Sequence, residues 1–208
     1  MADPWTFGWS QALTILGFLI TIGIAFGGFQ TFERWKRQKL EERKIEIAFE
    51  ALALAHESKF IFENIRGPMS YDIDFESMPV QPNESENDRR SRGAYYAVLK
   101  RLQTHNEYFE RAIKVLPKCM AAFGVDSENV FRELFSARGY IQRAAQALTW
   151  ELPIVPPVRS QEDYELRVQF RHDSWGSPND DRVETCLRNF REGVEHKCRP
   201  TIDREFRP

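Results

Sequence analysis

Side chains able to carry chemistry are few in this chain, and they are scattered. His172 and Asp173 adjoin in RHDSWG; a His-Asp pair can hold a metal that activates water once further His and Asp ligands join it. His105 or His56 would have to supply those ligands from far along the chain, and no second motif accompanies the pair. Both residues are therefore expected as polar groups at a surface. Cys186, His196 and Cys198 could approach one another, but zinc takes four ligands at paired spacings, which Cys-x9-His-x-Cys does not supply. Asp72, Asp74 and Glu76 alternate as calcium-loop ligands do. Ser77, however, stands where such a loop needs glycine, and Asn83 where it needs glutamate, so a solvated loop with Ile73 and Phe75 turned inward is expected. The sequence contains no Gly-rich phosphate loop, nucleophile elbow, HExxH or Cys-x-x-Cys. The expectation is no catalytic residue, no metal and no cofactor.

Two further polar residues, Asn106 and Arg138, interrupt apolar stripes. A buried charge needs a partner to offset its desolvation, so both are expected as core polar groups. They would pair across a helix hairpin or with Glu50, Glu57 or Glu63 on the first helix.

Positioning these residues starts with Trp9 to Phe29, a run with no charged side chain. About 20 helical residues cross the roughly 30 Å hydrocarbon layer. Ten residues of the run are Leu, Ile or Phe. At roughly 0.3–0.6 kcal/mol each they favour insertion by about 3–6 kcal/mol in all, which predicts a single transmembrane helix. A cleaved signal would carry a basic flank before a short apolar core, whereas Asp3 is the only charge among residues 1–10. The basic residues follow instead: Arg34, Lys36, Arg37, Lys39, Arg43 and Lys44. They place residues 1–8 outside and residues 30–208 in the cytoplasm. Trp5, Trp9 and Trp35 bracket the run where interfacial aromatic belts sit. Glu33, Glu41 and Glu42 dilute the basic cluster, so it is expected to fix topology rather than to bind anionic lipid. Gly23 and Gly27 form a GxxxG pair, and Gly17, Thr21, Ala25 and Gly28 line a second small-residue face, on which membrane helices could pack.

Without the anchor about 175 residues remain, enough for one domain. Twenty-nine basic against 31 acidic residues give a net charge of −2, so no basic field points to nucleic acid. Cys119, Cys186 and Cys198 form an odd, unpaired set, as suits a reducing compartment.

The fold class expected is all-α: the membrane helix continues, as a stalk, into a cytosolic antiparallel bundle of about four helices. Residues 31–65 form the first, with Leu40, Lys44, Ile47, Ala51, Leu54, Ser58, Ile61 and Ile65 on one face and a slim, alanine-rich middle. Residues 67–90 read as a mobile loop. Residues 93–120 carry a coiled-coil-like repeat through Tyr95, Leu99, Leu102, Asn106, Phe109, Ile113, Leu116 and Met120, with Pro117 kinking or ending the helix. Residues 127–150 follow, with Phe131, Leu134, Arg138, Ile141, Ala145 and Leu148 on one face. PIVPPV then runs extended. The capping pattern Ser160 to Asp163 favours helix over 163–172, against an alternation that suggests a strand. Ser177-Pro178 starts the last helix, 178–197, which buries Val183, Leu187, Phe190 and Val194.

The expected function is interaction or scaffolding at a membrane, by raising local concentration. Its partners would be the lipid bilayer and a protein not identifiable from the sequence, with self-association into a homo-oligomer through the span and no nucleic acid. The loop 67–90 and the strip PIVPPV are the expected recognition surfaces. The alternatives are a membrane-bound metal-dependent hydrolase built on His172 and Asp173, and a small accessory subunit of a larger membrane complex.

Overall fold

Helix formers fill the first third of the chain, and residues 31–64 hold neither proline nor glycine. In the computed structural model, which describes residues 8–67, 77–82, 84–151, 161–178 and 181–206, that stretch is part of one helix, α1 (Trp9–Ile65). It is followed by α2 (Glu86–Thr104), α3 (Asn106–Phe123), α4 (Ser127–Gln146), a π turn (Ala147–Glu151), α5 (Gln161–Trp175) and α6 (Arg182–Phe206). The described residues form helices joined by turns and contain no strand. Two compact units divide the chain, Met1–Lys44 and Ile45–Pro208.

In the first unit, α1 is the one helix among the described residues long and apolar enough to cross a membrane, and nothing covers its apolar window. The ten Leu, Ile and Phe side chains of Trp9 to Phe29 are 49–71% exposed. Thr21 and Thr31 return their hydroxyl protons to the carbonyls of Gly17 and Gly27, each at 2.9 Å. Both bonds satisfy a hydroxyl within the helix itself, without a partner from outside it.

In the second unit, residues 45–65 of α1 turn one stripe inward: Ile47, Ala48, Ala51, Leu54, Ala55, Phe62 and Ile65 are buried. The alanines let neighbours approach closely. The Tyr108 hydroxyl donates to the Leu54 carbonyl at 2.9 Å, Arg111 meets Glu57 and Lys118 meets Glu50 at 2.6 Å. Numbers rise along α3 as they fall along α1, so the two run antiparallel. By the same logic α6 runs antiparallel to this part of α1, through Arg66 to Asp181 (2.8 Å) and His56 to Glu195 (3.2 Å). Phe109 meets Phe62 edge-on, and Phe131 meets Phe190, at centroid distances of 5.9 and 5.4 Å. With Leu134, Ile141 and Leu187 these rings fill the core.

Several boundaries differ from the sequence expectations. The helix expected over 93–120 begins at Glu86, because Ser85 caps it: its Oγ accepts from the Asp88 amide at 3.1 Å and donates to the Asp88 carboxylate at 2.7 Å. That reduces the expected loop 67–90 by its last residues. The same helix breaks at His105, and on either side of the break parts of the inward stripe lie one position earlier than expected, Val98 being buried in place of Leu99. Ala112, Val115 and Cys119 are buried in place of Ile113 and Leu116, and Ile113 is 55% exposed. Pro117 neither ends nor visibly breaks α3, which continues to Phe123. The carbonyl that Pro117 leaves without a donor belongs to Ile113, on the solvent side. Residues 163–172 lie within the helix α5. The helix expected over 178–197 is α6, which starts at Arg182 and runs through Pro200. Its cap is not Ser177 but Asp181, whose Oδ1 accepts from the Val183 and Glu184 amides at 3.0 and 3.1 Å. Trp5, Asp72, Ile73, Asp74, Phe75, Glu76, Asn83, the strip PIVPPV and Ser160 lie outside the described residues.

Helices α4 and α6 come close together at Gly193, where an added Cβ would stand 2.8 and 2.9 Å from the two methyls of Val130. Valine is stiff about χ1, so the methyls have little room to yield. Gly193→Ala should therefore destabilise the second unit by about 1–2 kcal/mol, overpacking outweighing the roughly 1 kcal/mol gained in helix propensity. Introducing Val130→Ala beside it should recover most of the loss in thermal or urea unfolding.

Candidate functional sites

The His-Asp pair sits at the end of α5, and the structure commits it to joining helices. Asp173, expected at the surface, is only 2% exposed. Its carboxylate receives both ends of the Arg182 guanidinium, Nε to Oδ1 at 2.8 Å and Nη2 to Oδ2. Arg182 also lies 4.1 Å from the Tyr140 ring centroid. The His172 ring is exposed, while its carbonyl accepts from Arg66 at 2.7 Å and from the Gly176 amide at 2.8 Å. Gly176 reaches that amide geometry at φ +95, where a side chain would be strained. The other two candidate ligands lead elsewhere: His56 to Glu195, and His105, through Nε2, to Asn64 at 2.9 Å. Among the described residues no group of three or more His, Cys, Asp or Glu side chains is placed to hold a metal ion.

Asn106 and Arg138 do find each other, Arg138 donating to the Asn106 carbonyl oxygen at 3.1 Å. They are not core groups, however: Asn106 is exposed and Arg138 half-buried, its guanidinium 4.4 Å from the Phe109 ring centroid. Glu50 and Glu57 are instead taken by Lys118 and Arg111. The buried ion pair that sequence reasoning missed is Arg92 with Glu84, joined by two hydrogen bonds of 2.6 and 2.7 Å. Arg92 also donates to the Pro79 carbonyl at 2.9 Å, holding the segment before α2 against the helix. The hydrogen bond from Arg92 holds the Glu84 carboxyl below the usual carboxylate range.

In the first unit Arg34, Lys36, Arg37, Lys39, Arg43 and Lys44 are all exposed. Lys39 pairs with Glu42 at 2.6 Å and lowers the Glu42 pKa through that hydrogen bond. Gly17, Gly23 and Gly27 have open space where a Cβ would stand, so the small-residue faces carry no neighbour from this chain.

Two clefts remain. One, of about 430 Å³, lies where α2 and α3 meet α4 and the π turn, and is lined by Tyr96, Lys100, Arg138, Gln142 and Trp150 among others. The second, of about 340 Å³, lies between α2 and α5, with Tyr95, Arg167, Arg171 and Trp175 in its wall. Comparison of the chain with protein-family models, with curated proteins and with solved structures finds no match.

The three cysteines are free thiols. Burial pushes Cys119 up to about 12, and pushes Cys186 and Cys198 up to about 11, from an ordinary value of 9.0. Unfolding releases all three to ionise at their ordinary value, so the native state holds more protons between about pH 9 and 11. Stability should thus be unaffected by the thiols below about pH 8 and should fall as pH rises from there toward 11. Urea unfolding between pH 7 and 10 checks this, and replacing all three cysteines by alanine should flatten the alkaline slope.

Proposed function

We propose that this is a single-pass membrane protein in which residues 9–29 of α1 span the bilayer. Residues 1–8 lie outside, and the second unit forms a cytoplasmic antiparallel helical bundle that acts as an interaction or scaffolding module. The observation that carries the reading is the uncovered apolar run. Its ten large side chains are exposed on every side of the helix, so no turn of the helix could hide them from water. Hydrocarbon removes that penalty, at roughly 0.3–0.6 kcal/mol gained per residue. The exposed basic residues after the run favour retention of that end in the cytoplasm. Anchoring would then raise the concentration of the module for partners at the same membrane.

The open glycine positions support one variation, in which a helix of a second copy or of a larger complex packs on Gly23 and Gly27. The hydrolase alternative finds no comparable support, because the Asp173 carboxylate is occupied by Arg182.

Carbonate extraction of membranes tests the anchor. The native chain should stay in the pellet, and Leu19→Arg, which costs about 2.5–3.5 kcal/mol at a helix centre, should move a large part of it to the supernatant. Release of the native chain by carbonate, or a tag after Pro208 accessible from outside intact cells, would overturn the reading.

A further inference from the structure

We propose that the cleft between α2, α3, α4 and the π turn binds a small organic anion that carries a flat ring. Its volume of about 430 Å³ lies in the range of small-molecule sites, roughly 300–1,000 Å³. The wall contains two cations, Lys100 and Arg138, and no carboxylate. Lys100 is exposed, and among the described residues it makes no ion pair. Among the described residues Arg138 donates through Nη2 to Asn106, and its Nε is buried without a partner. A guanidinium cannot shed its proton, so the group keeps its charge whatever occupies the cleft. Glu110 accepts from Nδ2 of Asn106 at 2.8 Å, and neither it nor Glu107 is part of the wall.

A ring site adjoins the cations. A π turn adds a residue to a helical turn, and such turns recur at functional sites. Here it presents Trp150, 45% exposed, at the cleft. The indole is fixed by Tyr96, edge-on at 6.2 Å, and by Arg92 at 5.3 Å from the ring centroid. Arg92 is in turn locked by Glu84, so the ring is held in place before any ligand arrives. Gln103, Gln142 and Gln146 add side-chain amides, which can donate to ring carbonyls or accept from ring N–H groups. Carboxylate or phosphate would bond Arg138 and Lys100, with the ring against Trp150. Aromatic carboxylates and nucleotides share that chemistry.

The full chain in nanodiscs, labelled with 15N at tryptophan, separates the outcomes. Trp150 reports this cleft and Trp175 the cleft beside α5. Titration with 1-naphthoate or with AMP should shift the Trp150 indole resonance, and the tighter of the two identifies carboxylate or phosphate as the anion. Neutral 1-naphthalenemethanol and inorganic phosphate should bind at least tenfold more weakly. Lys100→Gln, an exposed change that leaves the packing intact, and Gln142→Glu, which puts a carboxylate in the wall, should each raise Kd about tenfold, the effect of losing or opposing one charge-assisted bond. Arg138→Gln should do the same. Equal binding of the neutral analogue, a response at Trp175 alone, no response to either anion, or an unchanged Kd in Lys100→Gln and Gln142→Glu would each overturn the proposal. All lining residues lie in the second unit, so the carbonate experiment can fail without touching this one.

Discussion

Burial of a single stripe on residues 45–65 of α1 is the interaction on which the second unit depends. Ala48, Ala51 and Ala55 are fully or almost fully buried, and they let α3 and α6 close in far enough for Phe62 and Ile65 to reach the rings of the core. A Leu in place of Ala51 would have no volume to occupy, since interiors are packed to crystal density. Residues 9–29 of the same helix follow the opposite rule. Apolar side chains surround them, and a helix of that kind has no polar face to offer water. One helix thus carries two compositions, each suited to a different neighbour.

Where the helices of the second unit meet at their ends, charge takes over from packing. Arg66 with Asp181, Arg182 with Asp173 and Arg92 with Glu84 all place at least one charged group in near-complete burial. Removing one partner of such a pair costs about 3–5 kcal/mol, because the other is left charged and dry. The pairs Arg111 with Glu57 and Lys118 with Glu50 are 37–52% exposed, and exposed pairs contribute at most about 1 kcal/mol. The first set therefore fixes where α2, α5 and α6 begin and end, whereas the second adds little beyond the register that the core already sets.

The stripes of residues 45–65, α4 and α6 were legible in the sequence because each keeps a steady helical period against a continuous neighbour: Phe131, Leu134 and Ile141, or Val183, Leu187 and Phe190, are buried as their spacing implies. The repeat over 93–120 misled because it looked unbroken across His105, and because Val98, Ala112 and Cys119, smaller and one position earlier, take the buried places expected of Leu99, Ile113 and Met120. Ser85 and Asp88 did carry a capping signal, hidden inside a run whose composition suggests disorder. Proline is a poor stop signal when its lost hydrogen bond faces water, which explains α3 continuing past Pro117 and α6 past Pro200. Asp173 shows the remaining limit. Its neighbour His172 made it resemble half of a metal site, but its partner, Arg182, lies nine residues on, across a turn that no spacing rule reads.

Burial raises the thiols away from the thiolate form that a nucleophile requires. The acids that are buried, Asp173 and Glu84, are already held by arginines. One cleft of the second unit gathers Lys100, Arg138 and the exposed Trp150 with no carboxylate in its wall. Fixed cations and rings bind a ligand without moving a proton. A cleft of this kind is suited to holding a small anion that carries a ring.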